Sequence, residues 1–138
     1  MAASGVGVKD ECYTAYQDLK LGRKLKYIIY KISDNLKEVE VEKTGEGADY
    51  DEFLSDLPQD NCRYAVYDFE YTNEEGGKRS KIVFYTWSPD VARIKMKMIY
   101  AATKEAIKKK LDGIYVEIQC TDLAEASYET VLEKVNRK

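Results

Sequence analysis

Three cysteines, several closely spaced carboxylates and two Gly-x-Gly triplets are the groups in this chain whose types could support covalent, acid–base or phosphate chemistry. Cys12, Cys62 and Cys120 form no CxxC pair, and the sequence has no histidine to complete a zinc site or act as a general base. Ser-His-Asp and Cys-His nucleophile systems and the HExxH metal motif are therefore excluded. Asp10-Glu11 and Asp49/Asp51-Glu52 supply paired carboxylates, but in a net acidic chain such pairs read first as solvated faces or helix N-termini. Gly5-Val6-Gly7 and Gly45-Glu46-Gly47 lack the remainder of a GxGxxG or GxxxxGK[ST] phosphate cradle. The expectation is a non-enzyme with no cofactor, no metal and reduced, partly buried thiols.

The chemistry the sequence does offer is docking. Between Arg93 and Lys110 stand one arginine and six lysines against Glu105 alone, in a chain whose net charge is −3. At about 100° per residue, Met96, Ile99, Tyr100, Thr103, Ile107 and Leu111 fall on one side, which is assigned to a core. Ile94, Met98 and Ala101 fall opposite, with Lys97, Lys104 and Lys108 beside them and Lys95 and Lys109 on the other flank. A basic face carrying an adaptable methionine suits an acidic protein, an anionic lipid headgroup or nucleic acid, and an ordinary solvated lysine face has the same charge pattern. Nucleic acid carries least weight, because the chain is acidic and its aromatics mostly alternate within strands.

The elements that would position this face follow from periodicity. Residues 9–19 repeat Cys12, Ala15, Tyr16 and Leu19 at i, i+3, i+4, i+7, which predicts a helix. Residues 25–32 and 39–42 read as a hairpin about Asp34-Asn35, and residues 50–57 as a short helix stopped by Pro58. A second hairpin joins residues 63–71 to 82–87 through the tip Asn73-Glu74-Glu75-Gly76-Gly77, and both of its arms suit the middle of a sheet. Ser88-Pro89-Asp90 is expected to open the long helix, ending at Leu111 before Asp112-Gly113. A last strand over 115–120 precedes a final helix capped by Thr121 or Asp122 and ending near Val135.

Together these give an α/β chain with a mixed sheet between helices, one domain over residues 1–138 with a flexible tail over about 1–7. The 138 residues suit one core, and 44% apolar against 34% charged composition is that of a globular chain. No run approaches the roughly 20 apolar residues of a membrane span and the N-terminus lacks a signal-peptide pattern, so the cytosol is expected.

The chain resembles the ADF/cofilin family in sequence blocks that occur in family order from Ser4 to Arg137. They are Asp18-Leu19-Lys20-Leu21-Gly22, Asp60-Asn61-Cys62-Arg63-Tyr64-Ala65-Val66-Tyr67-Asp68-Phe69, Lys78-Arg79-Ser80-Lys81-Ile82-Val83-Phe84, Trp87-Ser88-Pro89-Asp90, Lys95-Met96-Lys97-Met98-Ile99-Tyr100 and Lys104-Glu105-Ala106-Ile107-Lys108-Lys109-Lys110-Leu111. It looks most like fungal and protist members.

The resemblance implies an ADF-homology fold, a mixed sheet of five or six strands flanked by helices. It implies binding to monomeric and filamentous actin with a preference for ADP-actin, filament severing and depolymerisation. The surface for both actin forms would combine Ser4, Gly5 and Val6 with Lys95, Lys97 and Met98. A filament-only surface would use Arg79, Lys81, Glu133, Lys134 and Arg137. Phosphoinositide headgroups would meet Lys95, Lys97, Lys104, Lys108 and Lys109, and Ser4 matches a phosphorylation position. The protein would act as a monomer in the cytoplasm, on the actin cytoskeleton, with nuclear entry alongside actin and no nucleic-acid partner. The alternative is a module of the glia maturation factor or coactosin type, which binds the branching complex or filament sides without severing. Two positions depart from the family: Arg93 where proline is common, which leaves the helix entrance looser or earlier, and Met96 where a small serine is usual, read here as core packing.

Overall fold

Strands whose residues are apolar on both sides must be covered on both sides, and β2, β4 and β5 read that way. The computed structural model describes residues 5–22, 24–47 and 49–137. The chain order is β1 (Gly7–Val8), α1 (Asp10–Lys20), β2 (Tyr27–Ile32), β3 (Glu38–Gly45), α2 (Tyr50–Ser55), β4 (Arg63–Thr72), β5 (Lys78–Trp87), α3 (Ile94–Lys110), β6 (Val116–Cys120) and α4 (Tyr128–Arg137). The strands form one six-stranded sheet in the order β1-β3-β2-β4-β5-β6. Its two edge pairings, β1 with β3 and β5 with β6, are parallel and the inner ones antiparallel. Both arms of the second hairpin lie inside the sheet, as the sequence predicts.

Alternation along the strands divides the core. Ile28, Tyr30, Tyr64, Val66 and Phe84 face one side, where Cys12, Tyr16 and Leu19 of α1 and Tyr100 and Ile107 of α3 cover them. Tyr27, Ile29, Tyr67, Phe69, Val83 and Tyr85 face the other, under Tyr50 and Phe53 of α2 and Val131 and Val135 of α4. One glycine is dictated by this packing: a Cβ on Gly45 would lie 2.1 Å from the ring of its cross-strand partner Tyr27. All three cysteines are free and buried, more deeply than the sequence suggests. No described helix is long and apolar enough to cross a membrane.

Several boundaries differ from expectation. Ser88-Pro89-Asp90 does not open α3, because the Ser88 N–H donates to the Cys120 carbonyl at 2.9 Å and prolongs the bond to β6. Pro89 to Ala92 make a turn closed by Ala92 N–H to Pro89 O at 3.0 Å, and α3 starts at Ile94 after an extended Arg93. The helix therefore begins no earlier in spite of Arg93. Thr121 and Asp122 do not cap α4, since both are engaged with Glu125: Thr121 N–H and Oγ1 donate to its carboxylate, and the Asp122 carboxylate accepts its N–H. Ser127 takes the capping role, accepting from Thr130 N–H at 3.3 Å. Of the flexible tail expected over about 1–7, Gly7 is paired in β1 and Val6 is buried in the core, while residues 1–4 lie outside the described residues.

Tyr100 ties the long helix to the sheet. Its hydroxyl accepts the backbone N–H of Ile32 at 2.9 Å, and its carbonyl accepts the Tyr64 hydroxyl. Tyr100→Phe removes the acceptor and orphans a buried N–H, so a loss of about 1 to 3 kcal/mol is expected in chemical denaturation. An unchanged midpoint would show that the hydroxyl is not part of the tether.

Candidate functional site

Helix α3 presents its apolar stripe inward and leaves a second apolar row outside. Tyr100, Thr103 and Ile107 are buried, and Met96 and Ile99 pack half-buried against the same core, so Met96 fills the role the sequence assigns it. On the outer side Ile94 is 74% exposed, Met98 66% and Val91, in the turn before the helix, 75%. Ala101 is exposed beside them. Val91 lies inside the helix expected from Ser88-Pro89-Asp90, but the periodic faces run only from Ile94 onward, and the structure puts it in the turn before α3. Large apolar side chains contiguous on a rigid element mark a contact surface.

The lysines around the row are not equivalent. Lys95 is exposed, whereas Lys97 donates to the Asp90 carbonyl at 2.7 Å and so braces the turn that carries Val91. Arg93 and Lys95, with Lys31 and Arg63, line a cleft of about 480 Å³ at the helix entrance, where Asp34 and Asp60 supply the opposing charge. Lys104 and Lys108 are both drawn to Glu117 of β6, the first at 2.7 Å. Glu117 pairs with Phe84 in the parallel register and so shares the face beneath α3. Burial alone would raise the Glu117 pKa, but its bonds to the two lysines outweigh that and hold it below the usual range, while Lys108 is raised by the same bond. A depressed carboxylate contributes stability above its unfolded pKa of about 4.3 and loses that contribution as pH falls through its folded value. Lys109 is exposed.

The terminus and α3 come together. β1 runs beside α3, and Val6 shares a core cluster with Tyr100 and Ile107. Val6 is only 4% exposed, so its side chain anchors the terminus in the core beside α3. Gly5 is exposed with φ of 75°, and Ser4 lies outside the described residues.

The filament-only candidates lie on the other side of the sheet. Arg79 and Lys81 alternate with Ser80 and Ile82 and share the β5 face of Val83, Tyr85 and Trp87, the face that α4 covers. Arg79 is exposed, and the Lys81 ammonium sits 4.7 Å from the centre of the Tyr115 ring. On α4, Glu133, Lys134 and Arg137 are exposed, with Glu133 and Arg137 paired at 2.6 Å one turn apart.

The profile of the family described as "Cofilin/tropomyosin-type actin-binding protein" matches residues 5–136. Cofilin of Mycosarcoma maydis is 53% identical over 135 residues, 98% of this chain and 97% of the relative. Cofilin of Schizosaccharomyces pombe is 51% identical over the full length of both chains. The crystal structure of Streptomyces griseoflavus cofilin superposes with a TM-score of 0.92 at 51% identity, covering 96% of this chain and 98% of that one.

Proposed function

The chain belongs to the ADF/cofilin family of actin-binding proteins, and from that premise we propose that it bridges neighbouring filament subunits, alters their packing and severs the filament. The observation that carries this reading is the placement of two candidate surfaces on opposite faces of one sheet. Ile94, Met98, Lys95 and Lys97 stand outward on α3, while Arg79, Lys81 and the exposed charges of α4 belong to the second face. One side can hold a monomer, and both together can touch two subunits.

The mechanism is differential binding with no bond chemistry. A ligand shifts a conformational equilibrium only by its unequal affinity for the two states, here the ordinary and the altered filament. Preference for ADP-bound subunits adds a further difference of the same kind. Severing occurs at boundaries between decorated and bare segments, where the two geometries meet. Phosphate on Ser4 would bring nearly two negative charges to the terminus that β1 fastens beside α3, against an acidic actin surface. The protein acts on the cytoplasmic actin cytoskeleton as a single-domain monomer, and nuclear entry accompanies actin. Actin co-sedimentation combined with filament imaging tests the reading: pelleting with filaments and fragmentation support it. Side binding without breaks, as in a coactosin-type module, would overturn it.

Phosphoinositides compete for the same helix, but its lysines differ in availability. Lys95 and Lys109 are exposed, whereas Lys104 and Lys108 are partly neutralised by Glu117. Glu117→Gln is therefore expected to tighten binding to phosphoinositide vesicles by about fivefold, at roughly 1 kcal/mol for restored lysine charge near a membrane. Unchanged or weaker binding in a sedimentation assay would remove these lysines from the lipid surface.

Severing should vary little between pH 6.5 and 7.5. With no histidine in the chain, the remaining side chains of the unphosphorylated protein that could titrate there are thiols, and burial pushes Cys12 and Cys120 up to about 12 and raises Cys62 as well; any residual dependence comes from actin, the α-amino group or a phosphate. All three stay neutral across the window, so neither direction of pH change alters side-chain charge. Severing rates on one actin preparation, beside a histidine-containing relative, check this; an equally steep profile in both would contradict it.

A further inference from the structure

The cleft at the entrance of α3 carries charge that the chain itself leaves unbalanced. It lies between the start of α3, the turn joining β2 to β3 and the segment just before β4, and holds about 480 Å³. Two of its four cations are engaged within the fold: Lys31 is paired with Asp34 at 3.3 Å, and the Arg63 guanidinium with Glu42 at 2.7 Å. The other two, Arg93 and Lys95, are exposed, and neither has an ion-pair partner among the described residues. Asp60 is the one lining carboxylate left to oppose them, and it too is exposed and unpaired among the described residues. The first turn of α3 adds to the positive side, having no acidic residue and no side-chain cap.

The walls of the cleft are built before any partner arrives. Opposite α3, the Leu36 N–H donates to the Ser33 carbonyl at 2.8 Å, while Asn35 Oδ1 accepts the Ser33 hydroxyl at 2.6 Å and the Lys37 N–H at 3.1 Å. These bonds hold Leu36 at a φ of 60°, a left-handed conformation uncommon for a bulky residue, and its half-buried side chain lines the cleft with that of Met96. On the helix side, the Arg93 carbonyl accepts the Lys97 N–H at 3.0 Å, which fixes Arg93 at the head of the exposed row of Ile94 and Met98. A guanidinium presents a planar fork that matches a carboxylate, and a preformed site loses less freedom on binding. Resting on the reading of α3 as the actin surface, we propose that this surface continues into the cleft, where Arg93, beside Lys95, binds a carboxylate-bearing segment of the actin subunit.

The test is a fluorescence titration of monomeric actin with the full chain and its variants at several salt concentrations, with thermal unfolding as the check of folding. Arg93→Gln is expected to lose about tenfold in affinity and to show a shallower salt dependence, since one charged contact is gone. Arg93→Lys keeps the charge without the fork and should recover most of that loss. Asp60→Asn removes the carboxylate that competes with the partner's and should tighten binding by about threefold, a gain that a merely structural role would not produce. It also keeps the test decisive if Arg93→Gln misfolds. Lys110→Gln, an exposed charge at the far end of the same helix, should leave affinity unchanged. Wild-type affinity in folded Arg93→Gln, an equal loss in Lys110→Gln, or no gain in Asp60→Asn would overturn the proposal. If Lys95→Ala with Lys97→Ala still weakens binding in that case, the cleft alone is excluded and α3 remains the actin surface; wild-type affinity there too would remove the helix as well.

Discussion

Lys95→Ala combined with Lys97→Ala is expected to weaken binding to actin monomers and filaments alike, by about a hundredfold or more. Charged anchors at a docking face cost about 1 to 3 kcal/mol each when truncated, and the two sit on one rigid helix. Lys97 contributes twice, because its ammonium also holds the Asp90 carbonyl and with it the turn that presents Val91. The fold should survive, since neither side chain belongs to the core cluster that fastens α3. Monomer affinity measured by fluorescence titration, with a far-UV circular dichroism check of folding, decides it. Wild-type affinity in the folded double variant would take α3 out of the actin site.

Arg79→Ala with Lys81→Ala is expected to separate the two activities. Filament binding and severing should fall by about tenfold or more, with monomer binding unchanged, because both residues lie on the sheet face away from α3. Lys81 is held over the Tyr115 ring, so its loss also frees that edge of the second face. Parallel monomer titration and filament co-sedimentation provide the comparison. Equal losses in both assays would show that the faces do not divide the work.

The fold was legible where local pattern and tertiary need agree. The inward stripe of α3 and the alternation of β4 and β5 are fixed by helical and strand periods, and the sheet buries what those periods select. The helix starts were less legible because capping residues found other partners. Ser88 completes a bond to β6, and Thr121 and Asp122 are satisfied by Glu125, so their signals point to turns. The lysine face of α3 was legible as charge, but its division was not. Which lysines are neutralised depends on Glu117, brought beneath the helix by the parallel pairing of β6 with β5, a contact that no local window contains. The burial of Val6 has the same origin in the pairing of β1 with β3. The cluster of Tyr50, Tyr67, Phe69 and Tyr128 combines rings from α2, β4 and α4, each of which reads separately as ordinary core.

Single-filament fluorescence microscopy on ADP-actin, at protein concentrations that leave part of each filament bare, bears most directly on severing through two surfaces. Wild-type protein should produce breaks that concentrate at the edges of decorated segments, while the Arg79→Ala, Lys81→Ala variant leaves filaments whole. Filaments that become coated yet stay intact at every wild-type concentration would contradict it.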